Sequence, residues 1–218
     1  VRTLVIAVAN TLLCLLIGYP LAYFIAFRGG RWKSTLILLV MIPFWTSLLL
    51  RAYAWVVILS GNGLANRALQ FLGLTEEPLN LIFTTKAVMM GMVYSYLPFM
   101  ILPLYAALEK FDVRLKEAAQ DLGAGRWSTF WRVTFPLSMP GVIAGSILVF
   151  IPSAGEFVIP NLLGGARTVM MGNLIQQQFL NARDWAFGSA LAVMLAALLL
   201  AAILFYVRRV GAERLEGV

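Results

Sequence analysis

The sequence predicts an all-α integral membrane protein, and three observations carry that prediction. Of 218 residues, 61% are hydrophobic and only 12% charged. Soluble domains carry about 25% charged residues, so there are too few here to cover a water-facing surface. Uncharged runs at 3–27, 87–108, 133–155 and 185–207 each exceed the roughly 20 residues that cross a bilayer, and in hydrocarbon a helix satisfies its own backbone. Between two of these runs lies a polar stretch, EAAQDLGAGRWSTFWRVTFP at 117–136, which lipid would not accept.

Taken in order, the first span is expected at about 4–27, followed by a loop with Arg28, Arg31 and Lys33. The second, at about 35–59, contains Arg51 and Pro43. A connection with Arg67, Glu76 and Glu77 leads to the third, at about 84–108, with Pro98 and Pro103. The loop 109–139 holds Lys110, Arg114, Lys116, Arg126 and Arg132. The fourth span, about 140–160, contains Pro152. A loop with Arg167 and Arg183 precedes the fifth, about 185–207, and the tail carries Arg208, Arg209 and Arg214. The whole chain, 1–218, reads as a single transmembrane domain. The prolines remove backbone donors and bend helices, which is tolerated where other helices or a water-filled cavity meet the freed carbonyls.

Eleven basic residues fall in the first and third loops and the tail. Five (Arg2, Arg67, Lys86, Arg167 and Arg183) fall on the opposite side, with Arg51 set aside as intramembrane. The positive-inside rule places the richer side in the cytoplasm. The loop 109–139 and the C-terminus are then cytoplasmic, and the chain starts outside. The opening Val1-Arg2 lacks an initiator Met, and one further span before Val1 would resolve that start. The run 3–27 is too long for a signal peptide and lacks a cleavage site.

The net charge of +7 records topology rather than nucleic-acid binding. There is no histidine and one cysteine, Cys14, within the first span. That excludes an internal disulfide, Cys/His metal sites and His-based acid–base chemistry, and no nucleophile–base pair suggests a membrane enzyme. No metal site, catalytic residue or cofactor of its own is expected in this chain.

Read as a helix, 108–122 places Leu108, Phe111, Leu115, Ala118 and Leu122 on one face at steps of three and four, and Gly123 sits where the helix would stop. An interfacial helix on lipid headgroups is one reading. Acidic residues nearly balance basic ones, which favours a protein partner instead.

The stretch Glu117-Ala118-Ala119, Gly123, then Val133, Phe135 and Pro136 resembles the EAA-xxx-G-(nine residues)-I-x-L-P pattern of permease subunits of type I ABC importers. Val133 stands for Ile and Phe135 for Leu. The resemblance extends over nearly the whole chain, through Gly18-Tyr19-Pro20-Leu21-Ala22, Pro43-Phe44-Trp45-Thr46 and Gly155-Glu156-Phe157-Val158-Ile159-Pro160. The last block, with Leu162-Leu163-Gly164-Gly165, is similar to the spermidine/putrescine permease branch. Members usually have six spans.

The resemblance implies the type I importer permease fold, in a bacterial inner membrane, with five spans in this chain and a cytoplasmic EAA coupling helix. Glu117, Ala118, Ala119, Asp121, Leu122 and Gly123 would meet the partner ATPase. It also implies as partners two ATP-binding cassette subunits, a second homologous permease and an external substrate-binding protein, with the bilayer around the spans. No P-loop spacing occurs here; in Trp32-Lys33-Ser34-Thr35 no Gly directly precedes the Lys, and the G-x-x-x-x-G-K spacing is missing. ATP and Mg would be bound by the partner. A secondary transporter or channel is the second class, but no convincing inverted repeat occurs and a channel has no need of the EAA loop.

For substrate, polyamine leads, with opines, other amines or ferric iron as alternatives. Glu156 lies roughly 6 Å and Arg51 roughly 12 Å from the outer surface at 1.5 Å per residue. Ionisable residues at such depth mark function by default. Glu156 either offers a carboxylate to a passing cation or forms a structural pair with Arg51. Trp45, Tyr94 and Tyr96 are aromatic candidates for the path through cation–π contact, Tyr94 and Tyr96 being favoured by their position near Pro98. An interfacial aromatic belt accounts for most of the others.

Overall fold

A computed structural model describes residues 1–165 and 168–215. Arg167 lies outside the described residues, as do the side chains of Arg209 and Arg214. Every regular element among the described residues is a helix, with no strand. In order the helices are α1 (Arg2–Arg28), α2 (Lys33–Met41), α3 (Leu48–Leu59), α4 (Leu64–Phe71), α5 (Thr85–Glu109), α6 (Val113–Asp121), α7 (Arg126–Thr129), α8 (Phe135–Gly155), α9 (Met171–Gln177) and α10 (Trp185–Leu215). Among the described residues, five helical segments are long and apolar enough to cross a membrane: Arg2–Arg28, Leu48–Phe71, Thr85–Glu109, Arg126–Gly155 and Trp185–Tyr206.

Helices α1, α5 and α8 form the core, each packed along the other two. Close approach comes from small residues, as expected where lipid supplies no hydrophobic drive between helices. A Cβ on Gly141 would lie 2.7 Å from Ala107 Cβ and from the Pro103 carbonyl, so α8 meets α5 almost backbone to backbone. Met100, fully buried, fills the junction between Gly18 of α1 and Gly145 of α8. Polar pins cross the same seams. Asn10 donates to Ser153 Oγ at 2.7 Å, and the Tyr19 and Ser138 hydroxyls are 2.9 Å apart, joining α1 to α8 twice. Cys14 is buried against α5, with Sγ 3.8 Å from the Val93 carbonyl.

Four expectations are corrected by the observed helices. The second span, expected as one run at 35–59, is split. Pro43 ends α2 in a 3₁₀ turn (Ile42–Trp45), which Thr46 closes by donating its hydroxyl to the Pro43 carbonyl at 2.7 Å; α3 starts afresh at Leu48. The single amphipathic helix 108–122 is two elements. α5 runs on to Glu109, and Asp112 caps α6 by accepting from the Arg114 N–H at 3.0 Å, so Leu108 and Phe111 leave the face of Leu115 and Leu122. The loop expected at 109–139 is not separate from the fourth span expected from 140. From Arg126 it continues through one π-helical turn (Phe130–Thr134) into α8. The fourth span itself stops at Gly155 rather than 160. Two short helices, α4 and α9, occupy connections read as loops.

Candidate functional site

The polar loop is built around α6. Its start is the Asp112 cap. Its end is a Schellman turn: the Gly123 N–H donates to the Gln120 carbonyl at 2.9 Å and the Ala124 N–H to the Ala119 carbonyl at 3.0 Å. Gly123 has φ +84°, a left-handed conformation that side chains with a Cβ resist. Glu117, Ala118, Asp121 and Gly123 are exposed and Ala119 is half-buried. Leu122 is 89% exposed and Trp127 76%, and Val113 and Leu115 are exposed on the same loop. Apolar side chains held outside on a capped polar helix form a surface suited to another protein.

Beneath α6, an aromatic cluster joins the loop to the spans. Tyr23 and Phe27 of α1 stack at 4.6 Å, Phe27 meets Phe111 edge-on at 5.7 Å, and Phe130 meets Tyr19 at 5.6 Å. Lys116 reaches inward from α6. Its ammonium donates to Tyr23 Oη at 3.2 Å and lies 5.8 Å and 5.4 Å from the Tyr23 and Phe27 ring centres. Lys116 was absent from the sequence-derived residues, because nothing in sequence spacing links it to Tyr23, 93 positions away.

The second region is the break after α8. Gly155 ends the helix, Glu156 is extended, and a short helical segment resumes at Val158 and closes with a π turn (Pro160–Gly164). Glu156 is only 5% exposed. Its Oε1 accepts from the N–H groups of Phe157, Val158 and Ile159 at 3.0, 2.8 and 3.3 Å, and its Oε2 accepts from the Tyr96 hydroxyl. The carboxylate is thus the cap of the resumed helix, placed where the helix dipole favours negative charge. The pairing of Glu156 with Arg51 is corrected. Arg51 Nε and Nη1 are buried with no hydrogen-bond partner, while Arg51 stands near enough to Tyr96 to act on it electrostatically. The backbone donors of the broken helix supplied a better partner than a guanidinium on α3.

Of the expected path residues, Glu156, Tyr96 and Arg51 are brought into one region. Tyr94 and Trp45 are not. Tyr94, two residues from Tyr96, points to a different side of α5, where it stacks edge-on with Trp55 at 5.8 Å and is 39% exposed. Trp45 is 75% exposed at the α2–α3 break. The break is buttressed by residues that charge-based reading passed over. Asn173 of α9 donates to the Phe157 carbonyl at 2.9 Å and to Asn161, and accepts from the Met170 N–H at 2.9 Å. Gly172 lets α9 approach, since a Cβ there would lie 2.6 Å from the Gly155 carbonyl. The uncharged Asn and Gln residues of 161–178 were the available signal.

Comparison with known proteins gives the class. Residues 18–216 match the family model described as binding-protein-dependent transport system inner membrane component. The chain is 44% identical over 207 residues, 95% of its own length and 75% of the relative's, to the spermidine/putrescine transport system permease protein PotB of Escherichia coli K12. It is 46% identical over 198 residues, 91% of its own length and 69% of the relative's, to PotB of Haemophilus influenzae. Among solved structures, a chain of a bacterial alginate ABC transporter, in complex with an alginate pentasaccharide-bound periplasmic protein, superimposes with a TM-score of 0.73. It covers 95% of this chain and 77% of that one; at 20% identity the likeness is one of fold. Fold and relatives together define a polytopic permease. The chain belongs to the family of binding-protein-dependent transport system inner membrane components, and it is a permease of an ABC importer.

Proposed function

We propose that this permease carries polyamines of the spermidine and putrescine class, driven by ATP hydrolysed in partner subunits. The observation that carries the reading is its identity, over nearly the full chain, to two relatives named as spermidine/putrescine permeases. In this reading the chain pairs with a second permease of similar design, binds two ATP-binding cassette subunits through Glu117, Ala118, Ala119, Asp121, Leu122 and Gly123, and receives substrate from an external binding protein. ATP and Mg stay on the partner. The loop 109–139 and the C-terminus face the cytoplasm, in agreement with the basic-residue count.

The chain's own residues support a mechanical role. The capped helix α6, fixed at both ends and tied to α1 by Lys116, acts as a short lever on the cytoplasmic side. The α1–α5–α8 core turns as a unit when the lever is displaced, and the helix breaks at Pro43–Ser47 and Glu156–Phe157 absorb the movement. Glu156 holds the resumed helix in place, while Tyr96 presents its ring beside it.

The test is uptake of radiolabelled spermidine into proteoliposomes holding the assembled transporter. Uptake requires the binding protein outside, ATP inside, and is blocked by vanadate. Uptake driven by an ion gradient without ATP would overturn the energy source. ATP-driven uptake of another solute, with spermidine neither carried nor competing, would overturn the substrate.

A further inference from the structure

The loop-side end of α1 carries a basic groove, of whose three cations the coupling role uses only Lys116. Arg28, at the end of α1, Lys116 of α6 and Arg126 at the start of α7 line a groove of about 500 Å³, with the Gln120 amide on the same wall. Among the described residues, no acidic one lines it. Among the described residues none of the three cations is within ion-pair distance of a carboxylate. Neither Glu117 nor Asp121 of α6 is among the residues that line the groove.

The floor is different in kind. Tyr23, Phe24 and Phe27 belong to the last turns of the spanning helix α1, and Phe130 closes the side. Aromatic rings at the end of a span sit at headgroup depth. The groove therefore combines converging cations with an apolar wall that continues into the hydrocarbon. A soluble anion needs only the first. A phosphate attached to acyl chains uses both, and basic pockets between spans on the cytoplasmic side are suited to such headgroups.

We propose that this groove binds the phosphate of an anionic phospholipid headgroup, which neutralises the three cations and props the coupling helix against α1. The cytoplasmic placement rests on the function proposed above; the lipid chemistry does not. Arg28 and Arg126 grip the phosphate from opposite sides. Lys116 supplies a third charge while its contacts with Tyr23 and Phe27 persist.

The experiment uses the assembled transporter with the full chain, in nanodiscs of phosphatidylcholine alone or with phosphatidylglycerol, and reads retained lipid by native mass spectrometry after detergent exchange. The wild-type complex is expected to retain phosphatidylglycerol over phosphatidylcholine. Arg28→Gln with Arg126→Gln should weaken retention roughly 30-fold, as two interfacial cations are lost. The pair Arg28→Lys with Arg126→Lys, which keeps the charge, should retain it. Equal retention by wild type and the Gln pair would overturn the proposal. Displacement of the lipid by millimolar inorganic phosphate would show a soluble-anion site and overturn the lipid assignment. Loss of the ATPase subunits from the Gln pair, with lipid unchanged, would show a protein interface and overturn it as well. Retention is read without transport, so a failure of the polyamine reading leaves a separate signature in the uptake assay.

Discussion

Lys116 of α6 donates a hydrogen bond to Tyr23 Oη of α1 at 3.2 Å while its ammonium lies over the Tyr23 and Phe27 rings. This is a direct side-chain link between the exposed loop helix and a core span. Lys116→Met keeps the aliphatic stem and deletes the charge. The expected outcome is ATP hydrolysis close to wild type with spermidine uptake per ATP lowered up to about tenfold, the scale of one cation–π contact with one hydrogen bond. Parallel phosphate-release and uptake measurements on one proteoliposome preparation check it; equal coupling ratios would contradict it.

Gly123 ends α6 at φ +84°, where a β-branched residue is strained. Gly123→Val should abolish ATP-coupled uptake while leaving membrane insertion intact, because nothing lies within 4 Å of the site and only the turn is disturbed. Gly123→Asn, which tolerates the left-handed region, should keep most of the activity. Uptake assays beside membrane-fraction blots distinguish the two.

Glu156→Gln leaves a side-chain oxygen for the N–H groups of Phe157, Val158 and Ile159 but removes the charge facing them. Hydrogen bonds to charged groups contribute about 1.5–3 kcal/mol, so the thermal midpoint of the complex should fall. KM for spermidine should change little, since the carboxylate already accepts four donors. A large rise in KM with an unchanged midpoint would return Glu156 to the role of substrate ligand.

Gly141→Leu puts a side chain where even a Cβ would lie 2.7 Å from the Pro103 carbonyl. Overpacking of this kind costs about 1–3 kcal/mol or more, and the Pro103 carbonyl is backbone, which cannot rotate away. Loss of the assembled complex on size-exclusion chromatography is expected. Gly125→Leu, a position with nothing within 4 Å, serves as the control and should assemble normally.

Long uncharged runs made the apolar segments legible, because a bilayer sets a length that composition alone can meet. Spacing also made the end of α6 legible, since Gly123 has a local conformational reason to be where it is. Other features depended on partners distant in sequence. Glu156 lies 60 positions from Tyr96, and neither residue type announces the other. Charge-matching logic selected Arg51 instead, whereas three consecutive backbone N–H groups offered donors at no distance along the chain. Position beside Pro98 favoured Tyr94 and Tyr96 alike, yet two residues apart on a helix they face different sides. The α9 buttress was missed because Asn161 and Asn173 carry no charge, although uncharged amides are well suited to satisfying a broken backbone.

Met100 stands between Gly18 and Gly145 like a dowel through three timbers. Neither flanking helix can slide along α5 without shearing it, so the joint is stiff, and compliance is confined to the places where the backbone leaves the helix. Those include Pro43–Ser47, Ser60–Gly63 and Glu156–Phe157. Any rearrangement of this chain is therefore articulated rather than elastic: a solid block with creases, whose positions, and not the block, set the range of its travel.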